Sequence, residues 1–282
     1  MDPIDLFIGQ EGTLSVITEM DIGLVKKPAD VLSCFVFFKK EEDSWGFSDW
    51  VKRSPGLDML SIEYFDHNAV ELLRRRNCNV PGDAAAAIFF EQEIGEKDDD
   101  NSIGAWTKVV VRYGSSADAT WVAMNDKDSR EFTELRYAVP ESINELIRKS
   151  GFRKFSTDIA VPDGKFQEMM NFYVRALRGG SIRHVIFGHI GENHLHVNIL
   201  PGSSDEFKMA EAASLSFVRK GVSLGGTVSA EHGIGKLKHK YLQEMYGRQG
   251  VLDMVRIKKV FDPNCILGRD NIFASLLSHG VG

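Results

Sequence analysis

The stretch Gly188-His189-Ile190-Gly191-Glu192-Asn193-His194-Leu195-His196-Val197-Asn198-Ile199-Leu200 changes character at His194. From there polar and apolar residues alternate, so a strand sets His194, His196 and Asn198 on one face and Leu195, Val197 and Ile199 on the other. The apolar face belongs to a core. Its opposite carries three consecutive polar side chains. His189 follows the apolar run Val185-Ile186-Phe187, and Gly188, Gly191 and Asn193 favour a tight reversal over one continuous helix. The hairpin expected here brings His189 back over His196. Two imidazoles held by backbone ladders, with a third ligand from elsewhere, make a site for a first-row metal.

The third ligand is expected in Ser229-Ala230-Glu231-His232-Gly233-Ile234-Gly235. Glycines at 225, 226, 233 and 235 let the backbone come close to a ligand, and Glu-His offers a metal carboxylate beside an imidazole for proton transfer. A His-x-His pair is also compatible with a hydrogen-bonded surface strand, and Glu-His between glycines with a solvated loop. Each cluster supplies what the other lacks, which favours a shared site.

With 282 residues, 43% of them hydrophobic, the chain can bury a substantial core as one large domain or two unequal ones. The net charge of −6, with no basic tract beyond Arg74-Arg75-Arg76, argues against a nucleic-acid partner. Cys34, Cys78 and Cys265 are odd in number and far apart, which excludes a disulfide framework and an iron–sulfur cluster and points to a reducing compartment. No apolar run approaches the ~18 residues that span a bilayer, and Met1-Asp2-Pro3-Ile4-Asp5 lacks the basic and apolar parts of a signal peptide. The expectation is a soluble cytoplasmic protein, with peripheral attachment to an inner membrane left open.

In chain order, Phe7-Ile8 reads as a short strand entering the turn Gly9-Gln10-Glu11-Gly12-Thr13, and residues 16–25 as another strand. Strands are expected at 31–38, 60–65 and 84–91, alternating with helices at 45–53 and 67–76, the β-α-β rhythm of an α+β sheet with helices on one face. Residues 95–101 read as a solvated acidic loop. Residues 103–150 are mostly helical, with breaks near 114–116 and 125–126. Further helices are expected at 166–178, 204–220, 238–246 and 251–261.

The two histidine-bearing stretches, with Gly9-Gln10-Glu11-Gly12-Thr13-Leu14 and Phe261-Asp262-Pro263-Asn264-Cys265-Ile266-Leu267-Gly268-Arg269-Asp270-Asn271, resemble the flavin-linked D-2-hydroxy-acid dehydrogenases and oxidases. These are the D-lactate, glycolate and D-2-hydroxyglutarate enzymes of the vanillyl-alcohol-oxidase superfamily. The resemblance brackets almost the whole chain. It implies FAD, with Gly9, Glu11, Gly12, Thr13 and Ile17 against the cofactor, and a divalent metal, Zn ahead of Mn or Fe, on His189, His196 and Glu231. It also implies His232 as the base that takes the hydroxyl proton while hydride leaves for the flavin, and Arg136 and Asn198 as residues orienting the acid. Arg136 read from the helix alone is equally a surface arginine paired with Thr133. Residues 154–162 resemble a strand of the family; some relatives place a substrate-binding lysine where this chain has Ser156, and Lys154 on the same strand face is the stand-in.

The implied architecture is a ferredoxin-like antiparallel sheet with helical insertions, preceded by the last segment of a flavin-binding domain. Residues 1–28 would be that remnant, 29–250 the substrate- and metal-binding cap, and 251–282 a helix and tail packing back toward the flavin domain. The glycine-rich cradle for the flavin pyrophosphate would precede residue 1, so the 282 residues alone are expected not to turn over. The electron acceptor, a quinone, cytochrome or electron-transfer protein, and a homodimeric state stay open. Two rivals remain: a zinc hydrolase, which would have no use for Glu11-Gly12-Thr13, and a non-catalytic subunit lacking its flavin domain.

Overall fold

Strand β1, Asp30–Phe38, is buried along nearly its whole length, because its sequence is apolar on both faces. Leu32, Cys34, Val36 and Phe38 belong to one core, and Phe35 and Phe37 to a second on the opposite side. The computed structural model describes residues 2–55, 57, 59–94, 99–180 and 182–273. Their element order is β1, α1 (Glu41–Arg53), β2 (Met59–Phe65), α2 (His67–Arg76), β3 (Ala86–Ile94), α3 (Asp99–Arg112), β4 (Thr120–Val122), α4 (Asp126–Ser150), β5 (Phe155–Ser156), β6 (Ile159–Ala160), α5 (Phe166–Gly180), β7 (His184–His189), β8 (His194–Ile199), α6 (Ser204–Ser223) and α7 (His239–Phe261). The strands pair antiparallel in the order β4-β1-β3-β2-β7-β8-β5, with β6 also pairing β8.

The α+β class and the antiparallel sheet stand as read, but the helices cover both faces of the sheet. Helices α1, α3, α5, α6 and α7 supply Phe47, Val110, Tyr173, Phe217 and Val255 to the first core. Helices α2 and α4 supply Leu73, Val139 and Ile143 to the second. A strand apolar on one face only would have needed one helical layer; β1 needs two. Phe35 shows the consequence, with its ring centroid 4.9 Å from that of Phe89 and 5.5 Å from that of Phe132. Phe35→Ala should lower the unfolding free energy by about 3–5 kcal/mol, the usual cost of emptying such a site. Urea unfolding checks this, and a loss under about 1 kcal/mol would mean that the site collapses around the smaller side chain.

Several elements differ from expectation. Phe7 and Ile8 lie in turns after a short 3₁₀ segment, Pro3–Leu6, and residues 16–25 form no strand. A strand needs a neighbour for its backbone groups, and among the described residues none pairs with this segment, so Val16, Ile17, Met20, Ile22, Leu24 and Val25 stay exposed. The single strand expected within 154–162 is two short ones, β5 and β6. Residues 95–98 of the expected acidic loop lie outside the described residues, and α3 already begins at Asp99. The two helices expected at 238–246 and 251–261 stand as read: they make up the two parts of α7, separated at Gly247, whose φ of 67° breaks the helical path. No helix among the described residues is long and apolar enough to cross a membrane.

The β7–β8 hairpin closes through a 3₁₀ turn, Ile190–Glu192, and Asn193 in left-handed conformation. Gly188 has φ 131°, and a Cβ there would sit 3.1 Å from the His196 ring, so only glycine lets the strands meet under that imidazole. Across the sheet, Glu63 on β2 pairs with His189 on β7, and Phe187 on β7 pairs with His196 on β8. Three adjacent strands therefore bring one carboxylate and two imidazoles together.

Candidate metal centre

Glu231 lies in the loop between α6 and α7, and its carboxylate reaches both strand imidazoles. Its Oε2 is 3.3 Å from His189 Nε2, and its Oε1 is 3.0 Å from His196 Nε2 and 3.1 Å from His232 Nε2. The other nitrogens of the two strand imidazoles are already committed. Glu63 Oε1 accepts from His189 Nδ1 at 2.8 Å, and the Thr157 carbonyl accepts from His196 Nδ1 at 3.3 Å. Those acceptors fix the tautomers: with Nδ1 protonated, each Nε2 of a neutral ring presents a lone pair. The hydrogen bond to Glu63 raises the His189 pKa, against its partial burial. Burial and the neighbouring His194 push that of His196 down. A neutral His196 thus aims a lone pair at a carboxylate oxygen 3.0 Å away, an arrangement that a cation between them would turn from repulsive to binding. Burial pushes the Glu231 carboxyl up, but the surrounding imidazoles hold it below its ordinary value, so it is available as an anion.

The loop bearing Glu231 and His232 is fixed from beneath by Asp158, between β5 and β6. Its buried carboxylate accepts from Ser229 Oγ (2.6 Å), Lys238 Nζ (2.8 Å), the His232 amide (3.0 Å) and the Glu231 amide (3.2 Å). Burial pushes Asp158 up, and the neighbouring His194 imidazole, with the donors Lys238 and Ser229, outweighs it and holds the group well below the usual carboxylate range. The same loop is tied to the start of the chain. Glu11 accepts from the Ile234 amide at 2.6 Å and the Gly235 amide at 2.7 Å, and a Cβ on Gly233 would strike its Oε1 at 2.6 Å. Lys258, 1% exposed, donates to the Thr13 carbonyl (2.7 Å), Asp262 (2.8 Å) and the Leu267 carbonyl (3.0 Å), pinning the N-terminal turn and the tail together.

Of the residues singled out from sequence, His189, His196, Glu231 and His232 converge. Arg136, on α4, ion-pairs with Glu63, one residue removed from the cluster, and Thr133 donates to the Ser129 carbonyl instead. Asn198 is buried, with Nδ2 directed at the Val185 and His196 carbonyls and Oδ1 without a partner. Lys154 is half-buried, which lowers its pKa, and among the described residues no hydrogen bond or ion pair is recorded for it. In the N-terminal turn, Thr13 Oγ1 donates to the Gln10 carbonyl, Gly9 and Gly12 face open space, and Ile17 is exposed. Glu63 and Asp158 were not anticipated. Glu63 had a signal, an acid between apolar residues in a strand, as in Ile62-Glu63-Tyr64, whereas Asp158 follows Ser156-Thr157 and had none.

Comparison with known proteins gives a consistent picture. Residues 27–272 match the family described as FAD linked oxidases, C-terminal domain. The chain is 25% identical over 274 residues to D-lactate dehydrogenase [cytochrome] 1, mitochondrial, of Saccharomyces cerevisiae, covering 95% of this chain and 46% of that protein. It is 24% identical to glycolate oxidase subunit GlcD of Bacillus subtilis (95% and 56% covered). It is 27% identical to D-2-hydroxyglutarate dehydrogenase of Stutzerimonas stutzeri (96% and 58% covered). The chain thus spans about half the length of the curated relatives it matches. Among solved structures, p-cresol methylhydroxylase with substrate bound shares the fold at a TM-score of 0.60 and 13% identity, over 88% of this chain and 54% of that one. A family match reaching from residue 27 to residue 272 settles the kinship: the chain belongs to the FAD linked oxidases, as their C-terminal domain.

Proposed function

We propose that this chain is the substrate- and metal-binding part of a flavin-dependent oxidoreductase that converts a D-2-hydroxy acid to its 2-oxo acid. The observation that carries the reading is the pair of imidazoles with committed Nδ1 atoms whose Nε2 atoms face one carboxylate. His189, His196 and Glu231 hold a divalent ion of the zinc, manganese or iron kind. When bound, that ion acts as a Lewis acid that acidifies the substrate hydroxyl, and the flavin is the hydride acceptor. His232, whose side chain is 60% exposed, reaches the site from the solvent side and takes the hydroxyl proton. Arg136 keeps donors beyond its pair with Glu63 and, with Lys154, orients the carboxylate end of the acid, while Asn198, whose Nδ2 faces the Val185 and His196 carbonyls, offers the acid only the acceptor Oδ1.

Residues 1–28 are the part of the chain that meets the flavin domain, 29–250 the cap, and 251–282 the returning tail. Gly9 and Gly12 have φ 73° and 70° with nothing within 4 Å of where a side chain would begin, which leaves that side of the turn open to a flavin. The carboxylate and carbonyl of Glu11 and the hydroxyl and backbone groups of Thr13 are held within the chain, so those two residues contribute by shaping the turn that faces the flavin, with Ile17 offering apolar surface.

Metal content tests the reading. The purified protein should carry about one divalent ion per molecule, since three protein ligands suffice for a catalytic site. Glu231→Gln should weaken metal binding at least about tenfold, because the anionic ligand is lost. Elemental analysis after growth with zinc, manganese and iron, followed by titration of the stripped protein, decides it; no uptake of any of the three refutes the metal and with it this chemistry.

A further inference from the structure

Resting on the metal reading above, we infer that His194 is a fourth protein ligand of that ion. His194 is 3% exposed, yet its Nε2 has no hydrogen-bond partner. Asp158 Oδ1 lies 3.1 Å from it, off the direction of a hydrogen bond, and Asp158 is already satisfied by Ser229, Lys238 and two backbone amides. A buried imidazole left in that condition costs stability unless something takes up its nitrogen. What lies next to it is the cluster. One ligand atom from each of His189, His194, His196 and Glu231 falls within 4.8 Å of all the others.

The strand supplies the reason. Residues two apart on β8 project from the same face, and the ring centroids of His194 and His196 are 4.7 Å apart, so the pair can close on one ion like two jaws. His189 approaches from β7, its centroid 5.6 Å from that of His194, and Glu231 closes the group from the loop side. Three imidazoles and one carboxylate select a first-row divalent ion over magnesium or calcium, which prefer all-oxygen surroundings. They also select for coordination number. Four protein ligands would fill a tetrahedral zinc site completely, whereas a chelating hydroxy acid needs two further positions. The ion class that fits is therefore one that readily takes five or six ligands, such as ferrous iron, manganese or cobalt.

Stripped protein titrated with cobalt(II) separates the outcomes. X-ray absorption of the loaded wild-type protein should count three imidazoles at the ion, and His194→Asn should reduce the count to two while weakening cobalt affinity about a hundredfold. The wild-type count needs no variant, so it stands even if His194→Asn folds poorly. Two imidazoles in the wild type, or unchanged cobalt affinity in a folded His194→Asn protein, would overturn the inference and leave the three-ligand reading intact. No cobalt uptake by the wild type at all would remove the underlying metal reading as well.

Discussion

On the proposed chemistry, and with a flavin domain present, His232→Asn should slow flavin reduction by a D-2-hydroxy acid by about two to four orders of magnitude, the range for losing a general base. Asparagine approximates the shape of the imidazole near Cβ but accepts no proton. The backbone amide of residue 232, held by Asp158 at 3.0 Å, is unaffected by the change, so the loop should keep its position. Metal affinity should therefore stay within about threefold of wild type, since His189, His196 and Glu231 remain in place. The two readouts together are the test. Slow reduction with intact metal binding assigns proton transfer to His232; slow reduction with lost metal would make the residue a support for the site. Stopped-flow absorbance of the flavin follows the first and cobalt titration the second, and an unchanged reduction rate would take His232 out of the reaction.

The cluster was legible in the sequence where local periodicity decides geometry. Alternation from His194 to Ile199, and glycines at 188 and 191, are enough to foresee a hairpin that superposes His189 and His196. Helix α2 was legible for the same reason: Asp66 caps it by accepting from the Ala69 amide at 2.7 Å, and the arginines at 74–76 suit its C-terminus. What sequence reading missed depends on contacts distant in the chain. Glu63 and His189 are 126 positions apart, and Glu11 and the Gly235 amide 224. No local pattern announces such a pair. The second helical layer was missed differently: the run Phe35-Val36-Phe37-Phe38 is apolar on both faces, a sign of burial from two sides that the β-α-β rhythm overshadowed. Residues 16–25 erred the other way, being apolar enough for a strand but without a neighbouring edge to pair with among the described residues.

Asp158→Asn should cost about 3–5 kcal/mol of stability, the range for removing one partner of a buried ion pair. The carboxylate receives only donors, and an amide in its place would turn its own N–H₂ toward Lys238, Ser229 or the amides of Glu231 and His232. Lys238, only 18% exposed in its side chain, would lose its counter-ion. The pH dependence carries the sign of the effect. Folding holds the Asp158 pKa well below its ordinary value, so the folded state binds this proton less readily than the unfolded chain. The stabilisation is fully present above the ordinary carboxylate range of about pH 4, and it is lost as pH falls from there through the depressed folded value. Urea midpoints for wild type and variant should therefore be far apart at pH 7 and draw together below about pH 4. A gap that stays constant down to pH 2 would mean that the shape of the residue, not its charge, braces the loop. Because the two amides held by Asp158 belong to Glu231 and His232, the same substitution should also weaken metal binding at pH 7 by about 10–100-fold, as outer residues that orient ligands do.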